Sequence, residues 1–338
     1  MTSRRRLTQS ISSMVLLGLL SSCTNNQRSV VPAIADWPVK AECALDMNSS
    51  GLDMASGDMA TPLLVQNNYM PGVWALDANN VWIVGWNGTI LKWNGSSFSE
   101  QSSGTTNNLT SVFALDANNV WAVGWNGTIV KWNGTNWSSQ PSGTIENLMG
   151  IWGYDASNVW AVDDTGVFVK WNGTAWNPVP SGTNYILYKL WGSGTSNIWT
   201  SGWNGTILRW NGTVWSSQPS GSTELLDGVW GADANNVWVV GSGGTILKWN
   251  GSSFAAQLSM TTDELEDVWG SDANNIWAVG SLGSILKWNG TTWTPQCSPA
   301  MGELSGVRGS DANNVWAVGA AILRWNGTVW TAMSSGWH

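Results

Sequence analysis

Asp163 and Asp164 are adjacent carboxylates, and paired carboxylates can serve as acid and base in glycoside hydrolysis. They break the pattern of a repeated segment at a place that reads as an exposed hairpin tip. Asp77, Asp116, Asp155, Asp233, Asp272 and Asp311 recur at one position of that segment. Calcium takes about six to eight oxygen ligands, and one Asp per turn is too few. These six read as turn caps, their carboxylates bonding nearby backbone. The single histidine, His338, is the last residue, so no His-based acid, base or metal cluster is available. No catalytic residue, metal or cofactor is expected. Trp86, Trp125 and Trp203 carry a different chemistry, each standing beside an Asn-Gly pair. An indole exposed there either stiffens its hairpin or offers a flat platform to a sugar ring or a partner side chain.

The whole composition favours binding over catalysis. Among 338 residues, 29 are Trp and 39 are Gly, while only 11% are charged. Ordinary globular chains carry about 25% charged residues. Disorder is excluded, because disordered chains are poor in aromatics and rich in charge. A formal net charge of −8 also excludes nucleic acid as a partner, since phosphate binding needs clustered Lys and Arg.

The elements that position these residues form an internal repeat. Trp82, Trp121, Trp160, Trp199, Trp238, Trp277 and Trp316 stand 39 residues apart. Units begin at Gly72, Ser111, Gly150, Lys189, Gly228, Asp267 and Gly306, and only the last is shortened, at Ala320 to Ile322. Each unit holds four short strand signals, as in Gly-Val-Trp-Gly, Asn-Val-Trp-Ala-Val-Gly, Thr-Ile-Leu-Lys-Trp and the segment around Trp137 or Trp215. An Asp-Ala-Asn-Asn turn joins the first two. An Asn-Gly turn such as Asn94-Gly95 follows the third, with both residues expected at φ > 0. Four strands per unit is the pattern of a propeller blade. The fold class is all-β: a seven-bladed β-propeller of 39-residue four-stranded repeats, preceded by a signal and a flexible linker. A solenoid would need atypical end caps, and the end units here are ordinary.

Of the 29 Trp, 24 fall in four columns of the repeat. Blades pack face to face, which buries both faces of their strands, so the column Trp are expected in the core. One basic residue per unit stands beside them: Lys92, Lys131, Lys170, Arg209, Lys248, Lys287 and Arg324. Their stems are expected to cover apolar surface. Trp86, Trp125 and Trp203 belong to no all-unit column. They are expected on the face that carries the second-to-third strand tips and the links between units, where the units differ.

The order Asn-Val-Trp-Ala-Val-Gly, Gly-Thr-Ile-Leu-Lys-Trp, Asn-Gly-Thr-x-Trp, Gln-x-Ser-Gly-Thr resembles the repeats of photosystem II assembly-factor-like and bacterial-neuraminidase-repeat-like propellers. The likeness spans about residues 72–338 and implies the fold. Trp-Asn-Gly replaces the neuraminidase Asp-box, and the sialidase Arg cluster is lacking, so the likeness does not carry glycosidase activity with it. Trp-rich lectins of the tachylectin type are a looser comparison.

Arg4 to Arg6, a short apolar stretch from Ile11 to Leu20, and Leu20-Ser21-Ser22-Cys23 have the shape of a secretory signal. The ending resembles the bacterial lipoprotein signal. That likeness implies lipid on Cys23, and Thr24 after it implies the outer membrane of a Gram-negative cell, facing the periplasm or the surface. The expected organisation is a signal over 1–22, a lipid-anchored linker over 23–60 and the propeller over 61–338. Removing 1–22 removes three of 14 basic residues and no acidic ones, leaving 11 against 22, a net −11. Cys43 and Cys297 are then an even pair, either bonded to each other or free. Thr61 to Gln66 could add a strand to the last blade or dock on it.

Two functions follow. One is a non-enzymatic scaffold of the cell envelope that binds a protein; the other is a lectin-like module that binds a glycan through Trp86, Trp125 and Trp203. The expected partners are the membrane, through lipid on Cys23, and an envelope protein or glycan, with the chain itself monomeric.

Overall fold

The computed structural model describes residues 69–334. Cys23, Cys43, Thr61 to Gln66 and His338 lie outside them. The described residues form seven four-stranded antiparallel sheets, each made from consecutive strands of one repeat. Blade two is representative: Leu109–Asp116, Asn119–Gly124, Ile129–Trp132 and Trp137–Gln140. The first strands of successive blades pack on one another around the ring, and the first strand of blade seven packs on that of blade one. These innermost strands surround the axis. The helical segments among the described residues are three three-residue 3₁₀ turns, at Trp86–Gly88, Ser242–Gly244 and Ser281–Gly283.

Ring closure involves no exchanged strand among the described residues, since each sheet is complete within its own repeat. Instead Met70 N–H donates to Gly319 O at 3.1 Å. The Tyr69 hydroxyl donates to Glu303 and accepts from Ser305 Oγ.

The recurring Asp are turn caps. Asp77 Oδ1 accepts from Asn79 N–H at 2.7 Å, and Asp77 Oδ2 accepts from Asn80 Nδ2 at 2.8 Å. These bonds favour the ionised form, and the carboxyls of Asp233, Asp272 and Asp311 lie below the usual range. The Asn-Gly turns after the third strand differ from expectation. Gly95 takes φ 100°, but Asn94 is not left-handed; its Oδ1 instead accepts from the N–H groups of Ser96 and Ser97, both at 2.9 Å. The Asn-Gly pairs with both residues left-handed are at the other end of the blade: Asn87-Gly88, Asn126-Gly127 and Asn204-Gly205.

The second-strand Trp are the heart of the core, each at most 1% exposed. Trp82 of blade one packs on Trp132 and Trp137 of blade two, with ring centres 5.4 and 5.3 Å away. The basic column does more than cover apolar surface with its stems. Lys92 Nζ stands 4.9 Å from the Trp82 ring centre and 5.5 Å from that of Trp132, so its ammonium lies against the indoles of two blades. Every unit repeats the contact with its own second-strand Trp. Arg324 spans the closure in the same way, 5.4 Å from Trp316 and 5.6 Å from Trp93. Five of the third-strand Trp carry a further bond, as Trp93 Nε1–H donates to Ala78 O at 3.1 Å and ties the first hairpin to the third strand; the indole N–H groups of Trp249 and Trp288 make no such bond.

Candidate functional site

Strand direction sorts the turns onto two faces. The Asp-capped turns and the Asn-Gly turns after the third strand share one face, and their polar groups bond within each turn. The second-to-third strand tips and the inter-blade links share the other. The tips on this variable face are held against the neighbouring links. Gly127 takes φ 64°, and a Cβ there would run into the Thr144 carbonyl of the following link. Asn126 N–H donates to Asn147 Oδ1 at 3.1 Å, which clamps the tip of blade two to the link entering blade three.

Trp86, Trp125 and Trp203 stand on these tips, 43%, 45% and 51% exposed. The structure places them on one face, on blades one, two and four. Trp86 has Tyr69 beside it, ring centres 5.5 Å apart. Near Trp203, Asn204 Nδ2 donates to the exposed Tyr185 hydroxyl at 3.2 Å. The three indoles thus stand on the same face, with hydrogen-bonding side chains near Trp86 and Trp203. Such a surface can stack on apolar or sugar faces while bonding polar edges.

Blade three carries Asp163 and Asp164 instead of an indole, and they are not a free carboxylate pair. Asp163 is 1% exposed, not at an exposed tip. Its Oδ1 accepts from Thr165 N–H, Thr165 Oγ1 and Val167 N–H at 2.7 to 2.9 Å, so it builds the turn from inside. Asp164 accepts from Asn147 Nδ2 at 2.8 Å. Cys297 lies in the link after Trp293–Pro295. The expected candidates Cys43, for a bond to it, and Cys23, for lipid, lie outside the described residues.

Sequence reasoning missed a second feature, at the axis. In blade four, Lys189 of the first strand reaches across to Ser305 O at 3.3 Å and to Asp267 Oδ2 at 4.0 Å. Arg308 approaches the same oxygen at 3.8 Å, and Val307 N–H donates to it at 3.0 Å. This group plugs the axial cavity, which has room for about one water molecule. Toward the variable face stand Asp227, Glu264, Glu266 and Glu303. Burial, then Glu266 and Glu264, push the Asp227 carboxyl up to about 8. Burial, then Glu303 and Glu264, push Glu266 up to about 7. Burial and the neighbouring acids also push the Tyr188 hydroxyl up to about 12. The available signal was Asp263, Glu264, Glu266 and Asp267, four acids within five residues of a sparsely charged chain.

No family model and no curated protein matches this chain. Solved structures do. YCF48 from Cyanidioschyzon merolae superposes with TM-score 0.63 at 16% identity, covering 77% of this chain and 95% of its own. YCF48 bound to D1 peptide gives 0.65 at 15% identity, with 76% and 91% covered. The WD40 β-propeller domain of Doa1 gives 0.66 at 13% identity, with 80% and 95% covered. The chain is a seven-bladed β-propeller with the architecture of YCF48 and of WD40 repeat domains.

Proposed function

We propose that this protein is a non-enzymatic, lipid-anchored propeller that docks a protein partner in the cell envelope through its variable face. The contrast between faces carries the reading. One face keeps nearly the same turns in six blades, with Gly194-Thr195-Ser196-Asn197 replacing the Asp-capped turn in blade four, and bonds its own polar groups. The other holds three exposed indoles on clamped tips, and indoles are favoured as anchors at interfaces. A propeller of the same architecture has been solved with a peptide bound. A photo-crosslinking side chain in place of Tyr185, on the variable face, should form adducts with a protein in intact cells. The same side chain in place of Asn118, on the uniform face, should form few. Replacing Trp86, Trp125 and Trp203 together by Ala should reduce the Tyr185 adducts at least tenfold. Equal yields from both faces, or no adduct from either, would sink the reading.

The exposed Trp flanked by Asn and Tyr also favour the second reading, a lectin-like module. A glycan array probed with the full chain tests it: strong spots that vanish in the triple variant would replace the protein partner by a glycan.

The anchor rests on Leu20 to Cys23 and the short apolar stretch before them. A single acyl chain is marginal, whereas several chains on one residue hold stably. Cys23→Ser should therefore move the protein from the membrane fraction to the soluble periplasmic fraction. Unchanged fractionation would show that lipid on Cys23 is not the anchor.

A further inference from the structure

Six of the seven first strands carry a bulge where they enter the ring from the variable face. In blade five Leu226 pairs with Gly241 and Gly228 with Val240, which leaves Asp227 as the extra residue. In blade six the same shift leaves Glu266 between Leu265 and Asp267. The corresponding residues of the other blades are Thr110, Met149, Tyr188 and Ser305. A bulge re-aims its side chain, and here successive bulges differ only in what they present. Blades five and six present carboxylates side by side, with Glu264 and Glu303 at the adjoining strand entrances.

One of these carboxylates has an oxygen with no hydrogen-bond partner. Asp227 is 6% exposed, yet its Oδ2 is buried without a hydrogen-bond partner. The cations facing the cluster, Lys189 and Arg308, are already engaged by Asp267 and by backbone carbonyls. A buried anionic oxygen left unpaired is costly, and an incoming cation would relieve that cost. A metal ion suits the cluster poorly: among the described residues, no three carboxylates converge closely enough to hold one. An ammonium or guanidinium on a flexible stem carries several donors and can bridge carboxylates contributed by separate blades.

We propose that this mouth receives a Lys or Arg side chain from a flexible segment of the partner, seated between Asp227 and Glu266. The proposal rests on the protein-docking reading and names the chemistry of the partner. The plug of Lys189, Asp267 and Arg308 fixes the depth, so a side chain enters and a threaded chain does not. Binding is linked to protons. Asp227 faces Glu264, Glu266 and Asp267 from blade six and Tyr188 and Lys189 from blade four, with Glu303 beyond Glu266. A bound cation favours the ionised carboxylates, so affinity is full above about pH 8 and falls as pH drops through 8 and then 7.

The test is selection from a random displayed peptide library on the full-length protein in detergent, at pH 8.5 and pH 6. Selected peptides should be enriched in Lys or Arg at one position. A synthetic selected peptide should bind at least tenfold more weakly when that residue is acetyl-lysine or citrulline, when the pH is 6, or when the protein carries Asp227→Asn with Glu266→Gln. Asp227→Asn removes an uncompensated buried charge, so the variant should fold, as its thermal melt would show. Glu146→Gln with Glu224→Gln removes two charges from the same face outside the mouth and should change affinity less than twofold. Peptides selected without basic enrichment would overturn the mouth while leaving the docking surface standing. Equal losses in the two double variants would also overturn it, as diffuse attraction. Failure to select any peptide would overturn both.

Discussion

Trp121→Ala should lower the melting temperature by about 10 °C. Trp121 is fully buried, stacks near Phe113 at 6.1 Å and carries the Lys131 ammonium 4.7 Å from its ring centre. Truncating a buried Trp typically costs about 3–5 kcal/mol, and in a domain of this size each kcal/mol shifts the melt by about 2–4 °C. The loss is large because Trp121 belongs to an inter-blade contact: Lys131 also lies 5.9 Å from Trp171 of blade three, so one deletion loosens two blades. The triple replacement of Trp86, Trp125 and Trp203 by Ala should melt within a few degrees of wild type, because exposed substitutions usually stay within about 0.5 kcal/mol each. Thermal melts monitored by circular dichroism decide between them. A triple variant that melts as low as Trp121→Ala would make the tip Trp structural and deprive the docking face of its anchors.

The same contrast explains what could be read in the residues and what could not. Core positions recur in every blade because every blade packs alike, so the 39-residue Trp spacing carried the ring, the strand order and the identity of the two faces. Local deviations were harder. Asp163 occupies the place where other blades have Gly124 or Gly202, and an Asp there reads as exposed until its three hydrogen bonds are seen to run inward. The ammonium of Lys92 could not be placed from its spacing, because the second indole it touches, Trp132, belongs to the next blade. The axial acids were hidden for a related reason. Asp227, Glu266 and Glu303 lie in three different units, and they approach one another because Asp227 and Glu266 are bulge residues and ring curvature brings the strand entrance at Glu303 beside them. A periodic pattern reports what the units share, whereas this mouth is made from what they do not.

Those acids should give the protein an unusual response to pH: it should become more stable on acidification from pH 8.5 to pH 5. Asp227, ordinarily near 3.8, is raised to about 8 in the folded chain, first by burial and then by Glu266 and Glu264. Glu266, ordinarily near 4.5, is raised to about 7, first by burial and then by Glu303. Between about pH 4 and pH 8 the folded chain therefore holds protons that the unfolded chain has released. Stability falls with rising pH wherever the folded state binds more protons. Each tenfold difference in acidity between the folded and unfolded chain is worth about 1.4 kcal/mol, so Asp227 contributes at most about 6 kcal/mol and Glu266 at most about 3 kcal/mol, an upper bound because repulsion between the two is part of the Asp227 shift. Below about pH 4 the gain is complete, and the turn caps Asp116, Asp233, Asp272 and Asp311 begin to act the other way, because their lowered carboxyls lose stabilising ionisation there. The maximum should thus lie near pH 4–5 rather than at neutrality. Asp227→Asn isolates the cause from general charge repulsion in an acidic chain. It should raise the melting temperature at pH 8.5, change it little at pH 5, and flatten the slope between them. A wild-type melt that rises with pH across this window, or an Asp227→Asn melt with the wild-type slope, would mean that the Asp227 carboxylate is already paired in the folded protein.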